Sequence, residues 1–191
     1  MNKFRNFQKP NRSVVYSKNG MVATSHYLAS SIGIDILKNG GNAVDAAIAM
    51  GLMLPLCEPQ STGLFGDVFC IFQKANSGEI IGLNGSGKSP IGINSNLIKK
   101  SGLNKMPETG IFSITLPGAM KSFDSLHSKF GEIDFKDICK PAIKYAQEGV
   151  VISPRVAFDC YHSSSNLKGV AKKFYTKRGK PFGMGDIFYA P

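Results

Sequence analysis

Between Ala43 and Cys57 the chain is apolar on nearly every face that a helix would present. Such a helix is stable only inside a layered fold, covered by other elements on several sides. Asn42 supplies an N-cap and Asp45 an acidic first turn, both favourable to the positive end of a helix. Ala46, Ala47, Ala49 and Gly51 are small enough for close packing, while Val44, Ile48, Leu52 and Met53 fill the remaining volume. Pro55 is expected to stop the helix, because proline lacks the donor that continues the ladder. At 15 residues the run falls short of the roughly 20 needed to cross a bilayer. It reads as a core helix, and no membrane partner is expected.

The flanking segments place that helix in an α/β fold. Leu28, Ile32 and Ile36 recur every fourth residue after Thr24-Ser25, with Ala29, Gly33 and Leu37 beside them, and Asn39-Gly40-Gly41 closes the pattern. This is one stripe of an amphipathic helix with its stop signal. Val68 to Phe72 and Glu79 to Leu83 read as strands joined by hairpin chemistry at Asn76-Ser77-Gly78. A short helix is expected around Asn96 to Lys100, and a third strand from Ile111 to Leu116, ended by Pro117-Gly118. Met120, Phe123, Leu126 and Phe130 form one helical face, and Phe135, Ile138, Ala142, Tyr145 and Ala146 another. Ser153-Pro154 opens a further helix with a cap and a first-position proline. Two helices, a β-meander and then helices suit a layered α/β fold. Residues 1–18 read as a basic arm, and 19–191 as a single truncated domain.

The net charge of +10 resolves into the ends of the chain. From Asn19 to Leu167 there are 12 basic and 12 acidic residues. The excess lies in Lys3, Arg5, Lys9, Arg12 and Lys18, and in Lys168, Lys172, Lys173, Lys177, Arg178 and Lys180. Phe174 and Tyr175 interleave with the second cluster, so a basic nucleic-acid-binding module is one alternative reading. Runs of like charge are more commonly solvated surface, and no nucleic-acid partner is expected. The four cysteines, Cys57, Cys70, Cys139 and Cys160, show neither CxxC pairing nor zinc spacing, and the three histidines do not join them. Buried or free thiols, no metal and no cofactor are expected. The first twenty residues lack an apolar signal core, so a cytoplasmic location is expected.

Gly82 to Ser89, GLNGSGKS, satisfies the pattern G-x-x-x-x-G-K-[ST] that cradles nucleotide phosphates. That function needs a helix opening directly after the loop, with its amides aimed at the phosphate. Pro90, Gly92, Asn94 and Ser95 follow instead, and Gly and Asn are poor helix formers. A nucleotide-binding P-loop is therefore the second alternative, and a Gly-rich turn at a strand end is the preferred reading.

Several segments together resemble one family. Gly20 to His26 (GMVATSH), Leu28-Ala29-Ser30 and above all Asn39 to Ala47 (NGGNAVDAA) resemble the opening of the gamma-glutamyltransferase (gamma-glutamyltranspeptidase) family. Glu58-Pro59 with Ser61 and Gly63, Pro117-Gly118, Pro141-Ala142-Ile143 and Ser153-Pro154-Arg155 follow collinearly. The resemblance implies an N-terminal-nucleophile hydrolase fold, an αββα sandwich of which this chain is the front of the large subunit. It implies a precursor that cuts itself before a Thr, whose own amino group then acts as base. That Thr is expected beyond residue 191, so no catalytic residue is assigned here and the fragment alone is expected to be inactive. The implied partners are a small-molecule amide substrate, a gamma-glutamyl or related amide, with the rest of the large subunit and the small subunit of the same precursor.

The resemblance also gives the GLNGSGKS turn a meaning. Transpeptidases proper carry there an Arg that grips the substrate's α-carboxylate, in a pattern like D-x-R-E-x-A-P. The matching stretch is Asn84 to Pro90, with Ser86 at the Arg position, and Gly63 to Phe69 lacks the run of four glycines. Both departures are similar to the acylase-like and amidohydrolase-like branch, which carries NGSGRAP. Asn84, Ser86 and Lys88 are the expected substrate-binding residues. Asp45 is expected to be structural, His26 a cap or core residue, and Arg155 a structural or subunit contact.

Overall fold

The computed structural model describes residues 13–190 and divides into two compact units, residues 63–130 forming one and the flanking segments the other. In chain order the elements are α1 (Tyr27–Lys38), α2 (Ala43–Cys57), β1 (Val68–Gln73), β2 (Ile80–Gly85), α3 (Ser95–Lys100), α4 (Ala119–Phe130), α5 (Phe135–Glu148), β3 (Val150–Val151), α6 (Pro154–Ser163), α7 (Gly169–Phe174) and β4 (Ile187–Phe188). The basic arm expected over residues 1–18 lies partly outside the described residues; from Ser13 to Lys18 the chain is exposed and forms neither helix nor strand.

In the unit built from the flanking segments, α1 and α5 both pack on α2. The stripe of α1 is buried at Ala29, Ile32, Gly33 and Ile36. Gly33 permits the close approach of the two helices: a Cβ there would lie 2.6 Å from Met50 Sδ. The first turn of α2 is a capping box. Asn42 Oδ1 accepts from Val44 N–H (2.8 Å) and Asp45 N–H (3.1 Å), while Asp45 Oδ2 accepts from Asn42 N–H at 2.9 Å. Asp45 is fully buried and also accepts from Glu132 N–H at 3.0 Å. One carboxylate therefore satisfies a helix start and the loop leading into α5.

Pro55 does not end α2, which runs on to Cys57. Proline removes only its own bond back to the preceding turn, and Glu58 N–H still donates to Leu54 carbonyl at 2.7 Å. Burial of Met53 and Cys57 holds that last turn in place. Further along, α6 is capped by Ser153 and opened by Pro154. Ile152, Val156, Ala157 and Phe188 form a small core beside the β3–β4 pair.

In the other unit, β1 and β2 form an antiparallel hairpin with Val68 opposite Gly85 and Gln73 opposite Ile80. Gly78, at φ +69°, closes the turn by donating to Lys74 carbonyl at 2.9 Å. Phe72 meets Phe130 of α4 edge-on at 4.8 Å. The third strand expected over Ile111–Leu116 does not form. Residues Ile111–Ser113 make a 3-10 turn instead, with both the Ser113 amide and hydroxyl donating to Gly110 carbonyl. A local serine bond to its own backbone outcompetes a ladder here.

Candidate substrate-binding turn

The turn from Asn84 to Pro90 begins in the last residues of β2 and leaves the strand at Ser86. Asn84, Ser86 and Lys88 are exposed, while Gly85 is buried and Gly87 half-buried. The three expected substrate-binding residues are therefore all open to solvent. The Ser86 hydroxyl and the Lys88 ammonium have no partner among the described residues. Asn84 is partly committed, since its Oδ1 accepts from Ser86 N–H at 3.0 Å.

The inner side of the turn is stitched to its surroundings. Gly87 N–H donates to Asp67 Oδ1 at 2.6 Å, and the Thr115 hydroxyl donates to the same oxygen at 3.2 Å. Lys88 carbonyl accepts from Leu116 N–H at 2.9 Å. Gly66 carbonyl accepts from Gly118 N–H (3.0 Å) and Ala119 N–H (2.9 Å), joining the segment before β1 to the start of α4. A side chain at Gly87 would run into the carbonyl of Leu116, and one at Gly118 would come within 2.9 Å of Gly87 N. The glycines of this motif serve backbone-to-backbone packing.

No phosphate cradle exists in this arrangement. Residues 86–90 form no helix, and α3 begins only at Ser95. The amide of Gly87 is already bonded to a carboxylate, and a second anion there would meet like charge. The P-loop reading therefore finds no support. Asp67 and Thr115 were not singled out from the sequence. Hairpin register alone would have found Asp67: with Val68 opposite Gly85, the preceding residue falls beside the turn.

The remaining polar residues are structural in their contacts. His26 caps α1, its Nδ1 accepting from Leu28 N–H at 3.3 Å, and burial holds its imidazole below the ordinary value while the Glu58 charge opposes that shift. Ser25 hydroxyl donates to the buried Glu58 carboxylate at 2.5 Å. Arg155 pairs with Asp159 at 2.9 Å, and Gln60 Nε2 donates to the same carboxylate oxygen at 3.2 Å. The four cysteines are free thiols; burial and then the Glu58 charge push Cys57 up to about 12. An apolar cavity of about 230 Å³ opens beside Gln60, Cys160, Tyr175, Phe182 and Phe188. Among the described residues no cluster of His, Cys, Asp or Glu has metal-binding spacing, and no helix is long and apolar enough to cross a membrane.

Comparison with known proteins decides which family the chain belongs to. The family model for gamma-glutamyltranspeptidase matches residues 29–191. The chain belongs to the gamma-glutamyltranspeptidase family. It is 37% identical over 184 residues to the glutathione hydrolase-like YwrD proenzyme of Bacillus subtilis, covering 93% of this chain and 34% of that protein. It is 30% identical to the glutathione hydrolase proenzyme of the same species, over 92% of this chain and 31% of that one. Among solved structures, gamma-glutamyltranspeptidase of Helicobacter pylori superposes with a TM-score of 0.86 at 30% identity, over 93% of this chain and 52% of that one. Cephalosporin acylase of Bacillus halodurans gives the same TM-score at 34% identity, over 95% and 35%. The chain thus spans about a third of the length of the curated relatives it matches. Its α/β elements have the N-terminal-nucleophile hydrolase fold of the gamma-glutamyltranspeptidases, in part.

Proposed function

We propose that this chain is the front part of a gamma-glutamyltranspeptidase-like enzyme that matures by cutting itself and then hydrolyses or transfers an amide-linked acyl group. The observation that carries the reading is the family match over residues 29–191. The nucleophile is a Thr outside these 191 residues, freed by the cut, whose amino group takes the proton from its own hydroxyl. The partners are the rest of the large subunit and the small subunit of the same precursor, with a small-molecule amide as substrate.

Within that reading, Asn84, Ser86 and Lys88 line the acyl-binding side of the pocket. Ser86 stands where transpeptidases proper carry Arg, so the forked, charge-assisted grip on an α-carboxylate is missing. Lys88 is a point charge on a flexible stem and does not replace the fork. The preferred acyl group is therefore one without a free α-carboxylate, and a gamma-glutamyl group is held less tightly than in transpeptidases proper. Self-cleavage is tested on the intact precursor by a denaturing gel with N-terminal sequencing. Two bands, the smaller beginning with Thr, are expected; a single uncut band under conditions where the protein is folded would count against the reading.

A further inference from the structure

Consecutive backbone amides in a Gly-rich turn form a natural seat for an anion. In this protein two consecutive amides of the Asn84–Pro90 turn, those of Ser86 and Gly87, are taken by its own side chains. Ser86 N–H goes to Asn84 Oδ1 at 3.0 Å and Gly87 N–H to Asp67 Oδ1 at 2.6 Å. The second bond is charge-assisted and at the short end of its class. Thr115 hydroxyl donates to the same Asp67 oxygen at 3.2 Å, so the carboxylate is fixed from two directions. Leu116 N–H to Lys88 carbonyl, at 2.9 Å, fixes the turn just beyond. The Ser86 hydroxyl and the Lys88 ammonium stay exposed.

We propose that Asp67 is the positioning residue that sets the specificity of this turn, by filling the anion seat with the protein's own carboxylate. Its fixed charge keeps phosphate and α-carboxylate groups off the Gly87 amide. It also ties the backbone of the turn at Gly87, between the exposed Ser86 and Lys88. Acyl groups that meet the turn with a neutral polar atom, within reach of the Ser86 hydroxyl, are admitted ahead of α-amino acids. The specificity part rests on the turn being part of the acyl pocket; the filled anion seat does not.

The test uses the intact protein labelled with 15N-glycine, titrated with inorganic phosphate, with the Gly87 amide followed by shift and by hydrogen exchange. In the wild type, Gly87 is expected to stay protected and to show no saturable shift. In Asp67→Ala, exchange at Gly87 rises roughly tenfold or more, as expected for losing a bond to a charged acceptor, and phosphate produces a saturable shift. Asp67→Asn keeps the acceptor without the charge, so Gly87 stays protected. With that variant, the KM for an anilide bearing an α-carboxylate falls relative to the KM for a neutral acyl anilide. A saturable phosphate shift in the wild type overturns the proposal, and that measurement does not depend on either variant folding. Equal exchange at Gly87 in the wild type and a folded Asp67→Ala would do so as well, while an unchanged KM in Asp67→Asn would overturn the specificity part alone. Absence of any amide turnover would instead remove the functional reading and leave the phosphate result standing.

Discussion

Asp45 and Asp67 show how much a single carboxylate can carry. Asp45, fully buried, accepts from the amides of Asn42 and Glu132. Asp45→Ala leaves those donors unpaired in the interior at about 1–3 kcal/mol each, so a loss of about 3 kcal/mol is expected in urea unfolding, with Asp45→Asn milder. The capping half of that role was legible in the sequence, because Asn42 and Asp45 sit three residues apart at the start of a helix. The contact with Glu132 was not, since it spans 87 residues. Asp67 was missed for the same reason: it acts on Gly87, 20 residues away, and only the hairpin register brings the two together. His26 gives a pH prediction. Burial lowers its folded-state value below the 6.5 of the free side chain. The unfolded chain therefore binds the proton more readily, and stability is complete above that value and declines as pH falls through it. His26→Asn keeps a good N-cap without the titrating ring. Its thermal midpoint should fall less than that of the wild type between neutral pH and mild acid; equal falls would show that His26 is not the responsible group.

At the scale of elements, the helices were the readable part. Periodicity and caps marked α1, α2, α4, α5 and α6 because each buries one stripe or, for α2, nearly its whole surface. The hairpin was readable from two apolar runs around Asn76-Ser77-Gly78. Ile111 to Leu116 misled because an apolar run says nothing about whether a partner strand is present. Pro55 misled because one missing bond does not outweigh a well-packed last turn. The approach of α1 to α2 at Gly33 gives a graded prediction. Gly33→Ala meets the flexible end of Met50 and gains about 1 kcal/mol of helix propensity, so its thermal midpoint should stay near that of the wild type. Gly33→Leu overpacks the same contact and should cost about 1–3 kcal/mol. In the Asn84–Pro90 turn, Gly87→Ala collides with Leu116 backbone. It should lower stability and activity together, which a thermal scan and a turnover assay read independently.

For the whole molecule, family membership rests on a match over residues 29–191 and on superposition at a TM-score of 0.86. The collinear sequence segments pointed to the same family because GGNAVDAA encodes a cap, an acidic first turn and a close-packed helix in one short block. Chemistry was less legible than fold, since the nucleophile proposed lies outside these residues and the site residues proposed here would only shape the acyl pocket. These 191 residues alone are expected to turn over no gamma-glutamyl anilide, whereas the intact precursor is expected to gain activity on the proposed self-cleavage. The central claim is that the Asn84–Lys88 turn, with Ser86 in place of Arg, faces the acyl group. It is tested most directly by comparing kcat/KM for a gamma-glutamyl anilide between the intact wild-type enzyme and Ser86→Arg. Restoring a charge-assisted grip of about 1.5–3 kcal/mol should raise it roughly tenfold or more, with a neutral acyl anilide unaffected. An unchanged ratio between the two substrates in a folded, self-cleaved Ser86→Arg enzyme would contradict the account.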